Sequence, residues 1–242
     1  MKYTYLALIF LSFLSVSCNN TSKKEVGFTI AYNGALKDIM HKGDITAKAS
    51  LSDFEGAEHF YALGAFENLK GEIQIFDSTS FNTSVKNDTL TIDSSFDKNA
   101  TLLVYAKVEK WNTFKVPDSV VDKKQFETYV FEVAKQNNIN INKPFPFLVS
   151  GTARKIDWHV IDWKDGDTEH SHAKHISSGL NGTLKNKNAD FLGFYSNAHH
   201  TIFTHHSTNI HTHFKLQNNS VAGHVDDFLL GDAMTLKLPK VD

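Results

Sequence analysis

The chain is poor in the residues that most often mark a specialised class of protein. One cysteine in 242 residues, Cys18, rules out an internal disulfide framework, so a packed core has to hold the fold. One arginine, Arg154, in a chain of net charge -2 leaves no electrostatic footprint for nucleic acid. Four prolines and 13 glycines are too few for a collagen-like or low-complexity protein. With 41% hydrophobic and 21% charged residues, the composition is that of a folded globular domain. Histidine is what the chain has in excess: 13 residues, bunched toward the C-terminal half.

The N-terminus reads as an address. A basic start at Lys2 precedes the apolar run Tyr5-Leu6-Ala7-Leu8-Ile9-Phe10-Leu11, which is too short for a structural transmembrane helix. Small residues then lead into Leu14-Ser15-Val16-Ser17-Cys18, the position of a bacterial lipidated cysteine. The expectation is a signal peptide over 1–17, an acylated Cys18 with a polar tether over 18–25, and one domain over 26–242. Such a protein is exported and held on the periplasmic side by its lipid alone. A plain signal peptide with an incidental cysteine is the competing reading.

Alternating hydrophobicity dominates the body. It predicts strands over 26–32, 60–66, 72–77, 89–92, 101–108, 145–149, 156–163, 190–195, 201–206, 210–216 and 235–238. Within 72–77, Glu72, Gln74 and Phe76 share one face. A short helix over 35–40 ends at Gly43, and 123–136 is the clearest helix, with Phe126, Tyr129, Val130 and Val133 at helical spacing. No repeat or long linker interrupts the pattern. The expected fold class is α+β: a β-rich single domain of mixed or antiparallel sheets with few helices.

The chemistry lies in His211-Thr212-His213 and, one turn later, Gly223-His224-Val225. Two histidines two apart on a strand face the same way, and a hairpin over Gln217-Asn218-Asn219-Ser220 returns His224 beside them. Three neutral imidazoles with an open fourth position form a catalytic rather than a structural zinc site. The ligands alone leave Mn²⁺, Fe²⁺, Co²⁺ or Ni²⁺ open. Many His-x-His pairs are merely polar faces of exposed strands; the third histidine argues for metal. His199, His200, His205 and His206 read as site walls, supporting donors or surface residues, and His170, His172 and His175 as a solvated loop.

Several segments together resemble the acetolactate decarboxylase family. They are Asn33-Gly34-Ala35-Leu36 through Gly43-Asp44, Gly64-Ala65-Phe66-Glu67-Asn68-Leu69-Lys70-Gly71-Glu72 running on to Asp77, Gly193-Phe194-Tyr195, His211-Thr212-His213-Phe214 and Gly223-His224-Val225-Asp226-Asp227-Phe228. The order agrees over 33–239. The resemblance implies that His211, His213 and His224 bind Zn²⁺ and that Glu72 is the catalytic carboxylate. It implies loss of CO₂ from acetolactate or a related 2-hydroxy-3-keto acid, an enediolate stabilised by the metal, and protonation to acetoin. Three features depart from the family pattern. Ala65 stands where threonine is usual; the family arginine falls on His159, five residues after Arg154 and of opposite strand parity; and no glutamate follows in Lys240-Val241-Asp242. Either Arg154 or His159 is therefore a candidate for holding the substrate carboxylate.

Three other readings remain at this point. One is a different reaction on the same scaffold, such as isomerisation of a hydroxy-ketone; another is a non-catalytic periplasmic metal- or ligand-binding lipoprotein. The third, a cupin, expects a glutamate soon after its His-x-His, where this chain has Lys215, Leu216 and Gln217. The implied partner is a small hydroxy-keto acid, with membrane contact through the lipid only and no nucleic acid; homodimerisation is left open.

Overall fold

A computed structural model describes residues 27–241. The expected signal peptide, Cys18 and tether lie outside the described residues. The first sheet holds β1 (Phe28–Asn33), β2 (Ala49–Ser50), β3 (Phe60–Phe66), β4 (Glu72–Phe76), β5 (Thr79–Ser80), β6 (Asn82–Lys86), β7 (Thr89–Asp93) and β8 (Asn99–Val108). Its main path runs β1-β8-β3-β4-β6-β7. The second holds β9 (Trp111–Lys115), β10 (Phe145–Val160), β11 (Leu180–Tyr195), β12 (Ile210–Leu216), β13 (Ala222–Leu229) and β14 (Thr235–Pro239). All named pairings are antiparallel, and β10, β11, β12 and β13 pair in a closed circuit. Three α-helices join them: α1 (Leu36–Lys42), α2 (Lys123–Gln136) and α3 (His172–Ser177).

Strand alternation sorts the apolar side chains into layers. Inside the circuit lie Phe147, Val149, Phe191, Phe214, Val225 and Phe228, closed over by Phe126 and Val130 of α2. Between the sheets, Leu63, Val104 and Ala106 meet Leu192, Phe194 and Phe203. The expected helices form where their sequence signals put them. α1 ends on Gly43 in the left-handed conformation (φ 63), and Asp122 with Gln125 makes a capping box at the start of α2.

Four expectations need correction. Segments 145–149 and 156–163 are parts of one strand, β10, which ends at Val160. β11 begins ten residues before the expected 190, because its polar first half pairs with β10 in an antiparallel ladder, interrupted at Asn186, whatever its side chains are. Segment 201–206 is not a strand: the amides of Ile202, Phe203 and Thr204 all donate to the His199 carbonyl in a tight turn. Phe203 from that turn plugs the core between the sheets, which is why its apolar signal imitated a strand. The stretch expected to be a loop around His172 and His175 contains α3, capped by the Ser171 side chain.

Gly64, in the middle of β3, is required by close approach: a Cβ there would lie 1.9 Å from the Leu102 carbonyl oxygen on β8. Gly64→Ala should destabilise the protein by about 2 kcal/mol or more, read as a melting temperature several degrees lower. An unchanged melting temperature would show that the two strands can part without cost.

Candidate metal centre and cavity

On β12, Ile210 and Phe214 enter the core, which turns His211 and His213 outward toward the first sheet. On β13, Val225 enters the same core and His224 faces out, directly across from His213 in register. The three rings converge. Nε2 of His211, Nε2 of His213 and Nδ1 of His224 lie 3.3 Å from one another in each pairing. A tetrahedral zinc site with bonds of roughly 2.0–2.1 Å has ligand-to-ligand edges of about 3.3–3.4 Å. The fit therefore extends from residue type to spacing.

Protonation agrees with that geometry. The Gln74 side-chain oxygen, which can only accept, lies 3.1 Å from Nδ1 of His213. Nδ1–H of His213 is thus the donor, and its Nε2 carries the lone pair. Gln74 is itself oriented by donating to the Phe81 carbonyl (2.5 Å) and the Thr83 hydroxyl (3.0 Å). Burial pushes His211 down to about 3 and holds His213 and His224 well below the ordinary imidazole range. All three are neutral, the form a metal needs.

Two acids and a fourth histidine flank the trio. Glu72 is buried at the start of β4; its Oε1 accepts the Ile161 amide (3.2 Å) and lies 3.7 Å from Nε2 of His159. Its Oε2 lies 3.8 Å from Nε2 of His213. Burial raises the Glu72 carboxyl to about 7, opposed in part by His159. Asp226 receives Nδ1 of His159 on both oxygens, at 2.9 and 3.0 Å. Asp157 pairs with Asp227 and Trp158 with Val225, so Asp226 is the extra residue of a β-bulge. For His159, burial disfavours the charge, but the Asp226 hydrogen bond and the Glu72 charge prevail and raise its pKa.

These groups open onto a cavity of about 690 Å³ between the sheets and the N-terminus of α2. His211, His224, Glu72 and His159 all line it. Of the two candidates for the carboxylate, the structure brings only His159 to the site. Arg154 is half-exposed, does not line the cavity, and pairs with Asp232 at 2.6 Å. Opposite strand parity separated the two, as their spacing implied.

The remaining histidines divide. His205 is a cavity wall, with the His206 ring against it at 4.3 Å. His199 packs on Phe203, and His200 bonds the Asn209 side chain at 2.8 Å. His172 and His175 of α3 also line the cavity, and His170 lies 3.0 Å from His175 while stacking on Trp163. Burial lowers His175 to about 4. Sequence reasoning assigned no role to Gln74, Asp226 or Lys123. The first two sit two residues from Glu72 and His224, on the same strand faces, and that spacing was the available signal.

Fold and site together define a class: a two-sheet β protein whose inner face carries a three-histidine, one-carboxyl centre at the foot of a cavity. The model of the alpha-acetolactate decarboxylase family matches residues 34–242, and the chain belongs to that family. Three solved structures share the fold. The alpha-acetolactate decarboxylase of Bacillus subtilis strain 168 is 16% identical with a TM-score of 0.66, covering 86% of this chain and 85% of its own. The acetolactate decarboxylase of Bacillus subtilis subspecies spizizenii is 15% identical with a TM-score of 0.67, covering 87% and 85%. A Staphylococcus aureus protein of unknown function, similar to alpha-acetolactate decarboxylase, is 14% identical with a TM-score of 0.65, covering 86% and 84%. No curated protein matches the chain in sequence.

The buried imidazoles make the metal-free protein acid-sensitive. Below the ordinary histidine value of 6.5 the unfolded chain takes up protons that His175, His211, His213 and His224 refuse in the fold, so stability falls with pH. The raised Glu72 carboxyl acts in the opposite direction between about 7 and 4.5, whereas His159, raised above 6.5, is protonated in both states below it, so one group opposes these four. After chelation, the melting temperature should drop steadily from pH 6.5 toward 4, each depressed imidazole contributing up to about 1.4 kcal/mol per pH unit. A flat profile over that window would contradict the burial of neutral imidazoles.

Proposed function

We propose that the protein is a zinc-dependent carboxy-lyase that removes CO₂ from 2-acetolactate, or a related 2-hydroxy-3-keto acid, to give acetoin. One observation carries the reading: a carboxyl held near neutrality, Glu72, lies 3.8 Å from a nitrogen of the histidine trio and lines the same cavity. The fold shared with acetolactate decarboxylases supports it. His211, His213 and His224 would hold the ion. When bound, it supplies Lewis-acid stabilisation for negative charge that develops on a substrate oxygen.

The chain's own residues do the rest. Oε1 of Glu72 is occupied by the Ile161 amide, which leaves Oε2 to carry the proton on the side of the trio. With a pKa of about 7, the group both holds a proton at neutral pH and gives it up readily, as protonation of a carbanion-like carbon demands. His159 is a positioning residue: fixed by Asp226, it sets the Glu72 carboxyl from the other side. The apolar wall of Ile39, Leu69, Leu102 and Phe203 keeps water from competing for that proton.

The test is acetoin and CO₂ released from acetolactate by zinc-loaded protein, with and without chelator. Chelator-sensitive release is the expected result. Glu72→Gln should lower turnover about 10²–10⁴-fold while zinc stays near one ion per chain. His224→Ala should lose both zinc and thermal stability. Stoichiometric zinc with no turnover of any hydroxy-keto acid would move the function to binding alone.

We also read the leader and Cys18 as placing this chemistry on the periplasmic side, with the membrane touched only by lipid. Cys18→Ser should then shift the protein from the membrane fraction to the soluble one. An unchanged distribution would remove the lipid anchor from the account.

A further inference from the structure

The cavity contains a cation that the scheme above leaves unused. Lys123, the first residue of α2, is part-buried and lines the cavity beside Asp226 and His224. Its one acceptor among the described residues is the Asp226 carbonyl oxygen, at 3.0 Å. Every acid near it is engaged elsewhere. The Asp226 carboxylate is taken by His159, and Asp227 lies 3.3 Å from Nζ of Lys155. Glu127 accepts the Thr208 hydroxyl at 2.6 Å and the Asn209 amide at 2.5 Å. An ammonium group with three donors thus has one protein acceptor and no carboxylate within ion-pair distance among the described residues.

The alternatives for binding an anion are weaker. Arg154 is paired with Asp232 outside the cavity, and His159 is fixed between the Asp226 and Glu72 side chains. Lys124 at the rim is exposed. Burying an unpaired charge is costly, and retaining one in a cavity is accounted for when its counter-ion arrives with the ligand.

We propose that Lys123 is the residue that binds the substrate's carboxylate, and that it makes the cavity selective for a 2-hydroxy acid anion over the neutral hydroxy-ketone left when CO₂ departs. The inference rests on the decarboxylase reading. It adds a direction to it: the anionic end of the substrate lies toward the N-terminus of α2, and the hydroxyl and keto oxygens toward the histidines. Once CO₂ has left, the product no longer carries the charge that Lys123 attracts.

The experiment is calorimetric titration of the zinc-loaded protein with two probes. One is 2-hydroxy-2-methylbutanoate, a carboxylate with no ketone to drive decarboxylation; the other is acetoin, which is neutral. Lys123→Met should weaken the carboxylate at least about tenfold and leave acetoin unchanged, while Lys123→Arg keeps both. The proposal is overturned if Lys123→Met binds the carboxylate as the parent does. It is equally overturned if the parent binds none, or if both variants lose both probes together. Acetolactate turnover, measured alongside, separates the two claims. Selective loss in a parent that releases no acetoin would sink the decarboxylase and keep Lys123. Acetoin release with an unchanged KM in Lys123→Met would sink Lys123 alone.

Discussion

Three neutral imidazoles, pressed together at 3.3 Å between two sheets, are the interaction on which the site depends. Three neutral ring nitrogens facing one another at that distance gain little from each other. They are held there by a cross-strand register, His213 against His224, and by the alternation that places Ile210, Phe214 and Val225 in the core behind them. A slip of one residue would turn the histidines into the hydrophobic interior and the phenylalanine out. The apolar packing of the second sheet therefore acts as the ligand-positioning device. Its stability is what keeps the trio assembled before any ion binds.

The same desolvation sorts the acids. Glu72 and Asp226 both reach His159, yet they differ in surroundings. Glu72 receives one backbone amide at Oε1 and meets the His159 and His213 rings only at 3.7 and 3.8 Å, so burial dominates and its carboxyl rises to about 7. Asp226 accepts the imidazole on both oxygens and so fixes the His159 ring. One element makes this division: the bulge at Asp226, which inserts an acid beside His224 without disturbing the ladder on either side. Proton-holding and proton-orienting roles thus fall on two carboxyl groups of similar intrinsic acidity, separated by environment alone.

How much of this was legible in the sequence follows from the range of each interaction. Period-two spacing exposed the His211–His213 pair, put Gln74 on the face of Glu72, and separated Arg154 from His159 before any fold was known. A hairpin of four turn residues made His224 the third member. All of these are local signals. Lys123 was not legible, because α2 approaches the histidines through tertiary packing more than 80 residues along the chain, and nothing near Lys123 differs from an ordinary helix start. The polar half of β11 and the turn at 199–204 misled for the converse reason. Ladder pairing stabilised a strand that its side chains did not suggest, and a core-plugging Phe203 gave a strand-like signal to a turn.

The division between local and long-range contacts also separates chemistry from selectivity. The trio, Glu72 and Gln74 sit on paired strands of the two sheets, where backbone ladders fix their register. Much of the rim comes from α2, α3 and the turn carrying His205, linked across the cavity by side-chain bonds such as those of Glu127 to Thr208 and Asn209. Rigid strands suit groups that must meet a metal within narrow limits, and attached helices suit groups that meet only a ligand's outer atoms. A centre held by paired strands can therefore stay fixed while its rim changes. A cation delivered by a helix can take the place of one delivered by a strand, with no change to the ladder that positions the metal ligands. In this chain the strand position carries His159 beside Glu72, and the positive charge enters the cavity from α2 on Lys123.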